Sequence, residues 1–200
     1  MNRVPPRSRD EVLEAVPFVE RVANAVGYIP TSYRVMSHRP EILEAFSRLA
    51  PAVMGRGTVD GGLKSLIALM VSTVTGCRYC QAHQGRNAVD RGGVPASKLN
   101  AVWEFETDPQ FSPAERAALR MARDSAVIPN AVTDGHFTEL REHFSDPQIV
   151  EMVSAAALFG FLNRFNDTLA NDLEDPNVEW ASAHMAEAGW EIGKHAPQPA

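Results

Sequence analysis

The sequence has few cysteines, no long apolar run and no excess of positive charge. Its 200 residues include only two cysteines, too few for the disulfide framework of a small secreted domain. No stretch approaches the roughly 18–20 apolar residues that span a bilayer, and the opening residues MNRVPPRSRDEVLE lack the apolar run of a secretory signal. With 19 Lys and Arg against 25 Asp and Glu, the net charge is −6, so no strong basic field attracts nucleic acid or an anionic membrane. We therefore expect a cytoplasmic protein that binds neither nucleic acid nor membranes.

Strand signals are also absent. No segment alternates apolar and polar residues for long, and β-branched residues do not cluster between turn pairs. Apolar residues recur instead at three- and four-residue spacing, which predicts an all-α fold. The predicted helices cover 10–26 with an interruption at Pro17, 31–36, a segment after Pro40, 63–75, a run from Cys77 to the Gly92-Gly93 pair, 97–103, 112–126, 133–143 and 146–169.

A weak internal repeat relates two of these helices. A shift of 82 residues lays Met70-Val71-Ser72 over Met152-Val153-Ser154. The repeat indicates two related helical units, of which only the first carries cysteines. The hydrophobic fraction of 44% and the chain length suffice for a core without disulfides or a structural metal.

The two cysteines stand three residues apart, in the string Thr75-Gly76-Cys77-Arg78-Tyr79-Cys80-Gln81-Ala82-His83. At a helix start this spacing brings the sulfur atoms within disulfide reach, and the helix dipole favours a thiolate. Peroxide reduction needs a thiolate nucleophile, a proton for the departing oxygen and a second thiol that traps the sulfenic acid. Cys77, Cys80 and His83 supply these three parts, and Arg78 adds positive charge.

Two other interpretations of the same residues stay open. The cysteines also fit a buried pair of small apolar residues without chemistry. A zinc site of Cys77, Cys80 and His83 would need a fourth ligand, and no second cysteine pair or His-x3-5-His motif supplies one. We therefore expect neither a metal nor a cofactor.

Three segments resemble the carboxymuconolactone decarboxylase and alkyl hydroperoxidase AhpD-like superfamily: GYIPTSYRVMSHRPEILEAF, LKSLIALMVSTVTGCRYCQAH and FGFLNRFNDTLA. The resemblance covers about residues 20–175 of a single domain, 1–200, and leaves 176–200 as a carboxyl-terminal extension. It implies an all-helical protein with paired helical units that assembles as a homo-oligomer, a trimer or a hexamer. In the AhpD-like branch, the residue corresponding to Cys80 attacks peroxide and the one corresponding to Cys77 resolves it as a disulfide.

Two positions depart from the AhpD-like pattern. The glutamate twelve residues before the first cysteine is replaced by Ser65, and the histidine four residues after the second is replaced by Gln84. His83 lies one residue earlier, which is about 100° around a helix, so we expect the Glu–His proton relay of the family to be incomplete. The remaining histidines, His195 among them, are expected at the surface.

Three functional hypotheses follow. The first is a thiol-dependent hydroperoxide reductase, with Cys80 as the nucleophile, Cys77 as the resolving thiol, His83 as an auxiliary proton donor and an external thiol or dithiol reductant. The second is a non-catalytic or redox-sensing member of the family. The third is lactone or decarboxylation chemistry that does not use the thiols.

Overall fold

The computed structural model describes residues 2–197 of the chain, and within that range it contains helices and no β-strand. The α-helices are α1 (Arg9–Ala15), α2 (Glu20–Val26), α3 (Thr31–Met36), α4 (Pro40–Met54), α5 (Gly61–Thr75), α6 (Arg78–Asp90), α7 (Ala96–Asn100), α8 (Pro113–Ala126), α9 (Asp134–Arg141), α10 (Asp146–Leu169) and α11 (Asp175–His184). Short 3-10 turns lie at Pro17–Val19, Val102–Glu104 and Gly193–His195. The all-α prediction is confirmed.

Helix α5 forms the centre of the fold. It packs against α6, α8 and α10, and Leu66, Ile67 and Met70 on it are at most 1% exposed. Asp60 caps the helix by accepting hydrogen bonds from the Gly62 and Leu63 N–H groups. Burial on every side explains why this segment is apolar throughout rather than amphipathic.

The helix α10 that the repeat pairs with α5 lies beside it. Met152 is fully buried, as is its counterpart Met70, whereas Ser154 is partly exposed and Ser72 is buried. The two helices thus agree in burial at the methionine position and differ at the serine position.

Where predicted and observed helices differ, a proline or a short turn is the cause. The predicted helix over 10–26 is divided into α1 and α2, because Pro17 opens a 3-10 turn and cannot donate a backbone hydrogen bond. Helix α11 was not predicted, and it packs against α6. The assignment of residues 1–200 to one domain, with an extension from 176, stays a prediction.

No helix within residues 2–197 is long and apolar enough to cross a membrane. The apolar segment 155–165 of α10 contributes to the core through Ala155, Leu158 and Phe159. Phe161 of the same segment is 44% exposed, together with side chains of α4.

Candidate active site

The two cysteines lie where the chain passes from α5 to α6. Gly76 ends α5 in the left-handed backbone conformation, with φ of 76°, which glycine adopts without strain. Cys77 follows as the N-cap of α6, and Cys80 lies in the first turn of that helix. Both thiols are free and both residues are 0% exposed. The positive end of the α6 dipole favours negative charge on these sulfur atoms.

Cys80 lines a cavity of about 370 Å³ between α2, α3, α4, α6 and α10. His83 lines the same cavity, so the structure brings these two predicted site residues together, whereas Cys77 is not among the lining residues. Phe46 and Leu158 supply part of an apolar wall, and Tyr28 supplies an aromatic hydroxyl. The cavity therefore suits a small organic molecule with an apolar body and a polar end.

Asn166 of α10 contacts the sulfur of Cys80. Its Nδ2 donates a hydrogen bond to Cys80 Sγ at 3.3 Å, and its Oδ1 accepts one from Asn171 Nδ2 at 2.8 Å. The second bond fixes the orientation of the amide, so that the NH₂ group faces the sulfur. A donor in this position stabilises a thiolate on Cys80.

The pKa values of the two thiols shift in opposite directions. The hydrogen bond from Cys80 lowers the pKa of Cys77 to about 6; burial opposes this shift and His195 assists it. Burial raises the pKa of Cys80 well above its usual value, the neighbouring Cys77 raises it further, and Asn166 opposes the rise. At neutral pH we therefore assign the thiolate to Cys77 and the proton to Cys80, which donates it to the Cys77 sulfur.

His83 is held by a carboxylate from a distant segment. Its Nε2 lies 2.8 Å from Oε2 of Glu174, the residue that precedes α11. The other oxygen, Oε1, accepts hydrogen bonds from the Tyr79 hydroxyl at 2.7 Å and from the Thr31 N–H at 2.6 Å. Asn177 Nδ2 also donates to Oε2, at 3.0 Å.

These partners keep Glu174 ionised. Burial alone would raise the pKa of Glu174, but the charge on His83 and the hydrogen bonds from His83, Thr31 and Tyr79 lower it to about 2. A fixed carboxylate beside an imidazole orients the ring and stabilises positive charge on it during proton transfer. Glu174 thus gives His83 a carboxylate partner, which Ser65 cannot provide.

Of the two positions that carry glutamate and histidine in the AhpD-like pattern, Gln84 lines the cavity with Cys80, whereas Ser65 does not. Ser65 and Gln84 are both buried, and they border a groove that also includes Asn87 and Arg91. The Gln84 Oε1 atom is buried without a hydrogen-bond partner. Ser65 and Gln84 thus provide no histidine–carboxylate pair, whereas His83 and Glu174 form one.

His195, expected at the surface, is buried beside the cysteines. The 3-10 turn Gly193–His195 folds back against the body of the protein, and the His195 carbonyl accepts a hydrogen bond from the Leu173 N–H at 2.8 Å. The ring Nδ1 lies 2.7 Å from the Asn171 carbonyl oxygen, and Nε2 lies 3.5 Å from Asp167 Oδ1. The expectation was wrong because residues near a carboxyl terminus carry no local sequence signal for burial.

Cys77, Asp167 and His195 bring three donor atoms within 4.8 Å of one another. No fourth Cys, His or carboxylate among residues 2–197 joins this group, whereas a tetrahedral structural zinc site uses four. The Lys194 ammonium lies 2.7 Å from Asp167 Oδ2, so a positive charge already neutralises the carboxylate and would repel a divalent cation. We interpret the cluster as a hydrogen-bonded acid–base group.

Arg78 does not reach the cavity. Its guanidinium donates to Gln81 Oε1 at 3.1 Å, and its carbonyl oxygen accepts a hydrogen bond from Trp190 Nε1 at 3.2 Å. Trp190 is 6% exposed and anchors the carboxyl-terminal segment to α6.

Comparisons with known proteins agree with this fold. A model of the carboxymuconolactone decarboxylase family matches residues 40–124. The debrominase Bmp8 superposes with a TM-score of 0.81 at 28% identity, over 92% of this chain and 97% of Bmp8. A Cys-to-Ala variant of Bmp8 has been solved in complex with 2,3,4-tribromopyrrole.

Two further relatives extend the comparison. An uncharacterized peroxidase-related protein from Ralstonia eutropha JMP134, described as an alkylhydroperoxidase AhpD core, superposes with a TM-score of 0.76 at 22% identity over 98% of both chains. The uncharacterized protein YnjA of Escherichia coli (strain K12) is 29% identical over 114 residues, which is 57% of this chain and 62% of YnjA. The match thus spans less than two thirds of YnjA. Residues 40–124 are thus similar to the carboxymuconolactone decarboxylase family, and the fold is that of the AhpD-like proteins.

Proposed function

We propose that the protein reduces organic hydroperoxides with its two thiols. One observation carries the proposal: Cys80 and His83 line the same cavity, while the second thiol, Cys77, is the N-cap of the same helix and interacts with Cys80. A nucleophile, a proton carrier and a resolving thiol are the three parts that peroxide reduction requires.

The first step forms a sulfenic acid on Cys80. His83 takes the proton of the Cys80 thiol, and the resulting thiolate attacks the terminal oxygen of the hydroperoxide. An S–O bond forms and the O–O bond breaks. The alkoxide leaves as an alcohol, with the proton that His83 returns to it. Glu174 stabilises the imidazolium that exists between these two transfers.

The second step forms the disulfide. The Cys77 sulfur attacks the Cys80 sulfenic acid, the S–S bond forms and the S–O bond breaks. Hydroxide leaves and, with one proton, becomes water. The two cysteines have then lost two electrons and the hydroperoxide has gained them. An external thiol or dithiol, which the chain does not contain, reduces the disulfide for the next cycle.

The proposal is tested by intact mass and free-thiol count before and after one equivalent of cumene hydroperoxide. We expect both thiols to disappear and the mass to fall by the two hydrogen atoms that a disulfide loses. Cys77→Ser should stop at the Cys80 sulfenic acid, which dimedone traps, and Cys80→Ser should show no reaction. Persisting turnover in Cys80→Ser contradicts the assignment of Cys80.

Reductive dehalogenation is the second candidate. It is supported by the similarity to Bmp8, and by an aromatic cavity that has a thiol in its wall. In this reaction two thiols become a disulfide while a carbon–halogen bond is replaced by carbon–hydrogen and halide is released. Bromide release from a bromopyrrole, without reaction with hydroperoxide, would favour this candidate.

The remaining alternatives make different predictions for the same variants. A redox-sensing protein would form the disulfide but show no repeated turnover when excess dithiol is supplied. Lactone or decarboxylation chemistry would continue in the double variant Cys77→Ser/Cys80→Ser. The cytoplasmic location stays a prediction from the sequence.

Self-association is a further part of the proposal. α4 and α10 border an apolar groove and leave large apolar side chains exposed, namely Ile42, Leu49, Val150, Val153 and Phe161, of which Val150 is 65% exposed. Together with the family resemblance, this face supports a homo-oligomer, a trimer or a hexamer. Light scattering after size exclusion gives the subunit count, and Leu49→Glu should reduce it.

A further inference from the structure

Cys77 lies at the edge of a group that the peroxide chemistry above does not use. The Cys77 sulfur, His195 Nε2 and a carboxylate oxygen of Asp167 lie within 4.8 Å of one another. The His195 side chain is 1% exposed, so water does not compete for these interactions. The three residues come from α10, from the start of α6 and from the turn Gly193–His195.

The hydrogen bonds fix the tautomer of His195. The Asn171 carbonyl, 2.7 Å from Nδ1, can only accept a hydrogen bond, so Nδ1 carries a hydrogen atom. A neutral ring therefore has its lone pair on Nε2, which is buried and makes no hydrogen bond of normal length. That lone pair faces a carboxylate, and a buried acceptor opposite another acceptor is unfavourable. A proton on Nε2 relieves the conflict.

The nearest source of that proton is the Cys77 thiol. Transfer from Sγ to Nε2 produces a thiolate and an imidazolium, which attract each other, and Asp167 stabilises the imidazolium from its other side. We propose that Cys77, His195 and Asp167 form a catalytic triad in which His195 takes the proton of the resolving thiol and later passes it to the departing hydroxide.

The titratable groups around this triad agree with the assignment. Outside the triad, Cys80 and Tyr79 face it from α6. Lys194 of the turn Gly193–His195 pairs with Asp167, the triad member on α10. The Tyr79 hydroxyl donates to Glu174 and is not available here. The pKa of Cys77 is lowered to about 6. Burial alone would lower the pKa of His195, but its interactions with Cys77, with the Asn171 carbonyl and with Asp167 raise it.

In the proposed reaction, the triad supplies the proton that disulfide formation requires. In the proposed disulfide step the Cys77 thiolate attacks the Cys80 sulfenic acid, and the departing hydroxide takes the proton from His195 Nε2 to become water. Each proton is then accounted for, and His195 ends neutral. This use of the triad rests on the proposed function, whereas the ion pair in the resting protein does not.

The ion pair is tested without any peroxide, by following thiolate absorbance against pH in the full chain carrying Cys80→Ser. Cys77 is then the sole thiol, and the serine hydroxyl still donates to it. We expect a midpoint near pH 6. Adding His195→Gln should raise the midpoint by at least about one pH unit, because a positive partner is lost. His184→Gln, on the exposed end of α11, serves as the matched control and should leave it unchanged.

A reciprocal measurement covers the case in which His195→Gln fails to fold. In Cys77→Ser, the NMR titration of His195 should move to lower pH, because the anion that stabilises its imidazolium is gone. A Cys77 midpoint above about pH 8 in Cys80→Ser would overturn the triad, as would an unchanged midpoint in folded His195→Gln. Tightly bound Zn²⁺ whose removal by a chelator abolishes the thiolate signal would also overturn it.

Activity separates this inference from the proposed function. In the otherwise unaltered protein, His195→Gln should slow disulfide formation at least about twofold at pH 7, because a one-unit rise in the pKa of Cys77 from about 6 halves the thiolate fraction there. Sulfenic acid formation, measured in Cys77→Ser, should not change when His195→Gln is added. If the pH titrations behave as expected and no hydroperoxide reacts, the proposed function fails and the triad stands.

Discussion

His83 Nε2 and Glu174 Oε2 lie 2.8 Å apart although 91 residues separate them in the chain. His83 lines the cavity that contains Cys80, and Thr31, Tyr79 and Asn177 hold the carboxylate in place. Because Glu174 precedes α11, that helix and the turn before it determine where the carboxylate lies. An acid–base pair at this site therefore depends on the carboxyl-terminal segment docking against α6.

The first prediction concerns Glu174→Gln. The amide keeps the shape of the side chain but loses the negative charge that stabilises a protonated His83. We expect the rate of Cys80 oxidation by cumene hydroperoxide to fall on the order of 10²-fold, within the range for general acid–base catalysis. Stopped-flow measurement of sulfenic acid formation in Cys77→Ser gives this rate. Glu179→Gln, at an exposed position of α11, is the control, and an equal loss there would contradict the role of Glu174.

A second prediction concerns the family position that has lost its carboxylate. Ser65→Glu restores the residue type of the AhpD-like pattern, but Ser65 is not among the residues that line the cavity with Cys80 and His83. We expect no gain in peroxide rate and a loss of stability, because the position is 5% exposed and a buried carboxylate lacks a partner. Ser65→Gln separates the effect of size from that of charge. A faster reaction in Ser65→Glu, but not in Ser65→Gln, would contradict this prediction and show that a carboxylate at position 65 assists peroxide reduction.

Local signals made most of the fold predictable. Ser112 followed by Pro113, with Glu115 three residues after the serine, predicts a helix start, and the structure shows the corresponding capping box at α8. The apolar run of α5 predicts a buried helix in the same way. Helix α11 could not be predicted, because its fully buried residues are only Asn177 and Ala181 and leave no apolar pattern.

The site residues likewise fall into a group that local sequence signals predict and a group that they do not. Cys77, Cys80 and His83 are neighbours in sequence, so helical geometry alone places them together. Glu174 and His195 reach the site through tertiary packing of segments that carry no motif, and a single sequence holds no signal for such contacts. The sequence shows that position 65 has no carboxylate. A carboxylate partner for His83 would therefore have to come from another part of the chain. The sequence offered too many acidic residues, 25 in all, to select Glu174.

Asn166 provides a third prediction. Its Nδ2 group, 3.3 Å from Cys80 Sγ, opposes the rise in the pKa of Cys80 that burial causes. Asn166→Leu removes the donor and adds apolar volume, so the pKa of Cys80 should rise further and its oxidation should slow. Alkylation of Cys80 against pH in Cys77→Ser measures the pKa directly. Asn163→Leu, three residues earlier on α10, is the control. It tests whether replacing any buried asparagine of this helix raises the pKa of Cys80.

The fourth prediction concerns a buried ion pair away from the site. Lys64 is fully buried, and its Nζ donates to the Val53 carbonyl at 3.2 Å, the Gly55 carbonyl at 2.5 Å and Glu151 Oε1 at 2.7 Å. Glu151→Gln leaves the ammonium buried without a charged partner, which typically costs about 3–5 kcal/mol. Lys64→Met should cost less, because it leaves no buried cation. Urea unfolding of both variants measures the difference, and the opposite order would contradict this account.

The last prediction follows from the two strongly acidic carboxyls. Burial alone would raise the pKa of Glu151, but hydrogen bonds from Lys64 and Thr58 lower it from 4.5 to about 2, and Glu174 is lowered to about 2 as well. A carboxyl whose pKa is lower in the folded state binds fewer protons than in the unfolded state. Its contribution to the free energy of unfolding is therefore complete above about pH 4.5 and is lost as the pH falls towards 2.

Urea unfolding at neutral pH, pH 4.5 and pH 3 should show little change over the first interval and a steep loss over the second. Glu151→Gln should be less stable at neutral pH and should lose less on acidification, because one of the two carboxyls has been removed. Both carboxyls are partly screened from water, so moderate salt should change the result little. An equally steep acid loss in the double variant Glu151→Gln/Glu174→Gln would place the acid sensitivity in other groups.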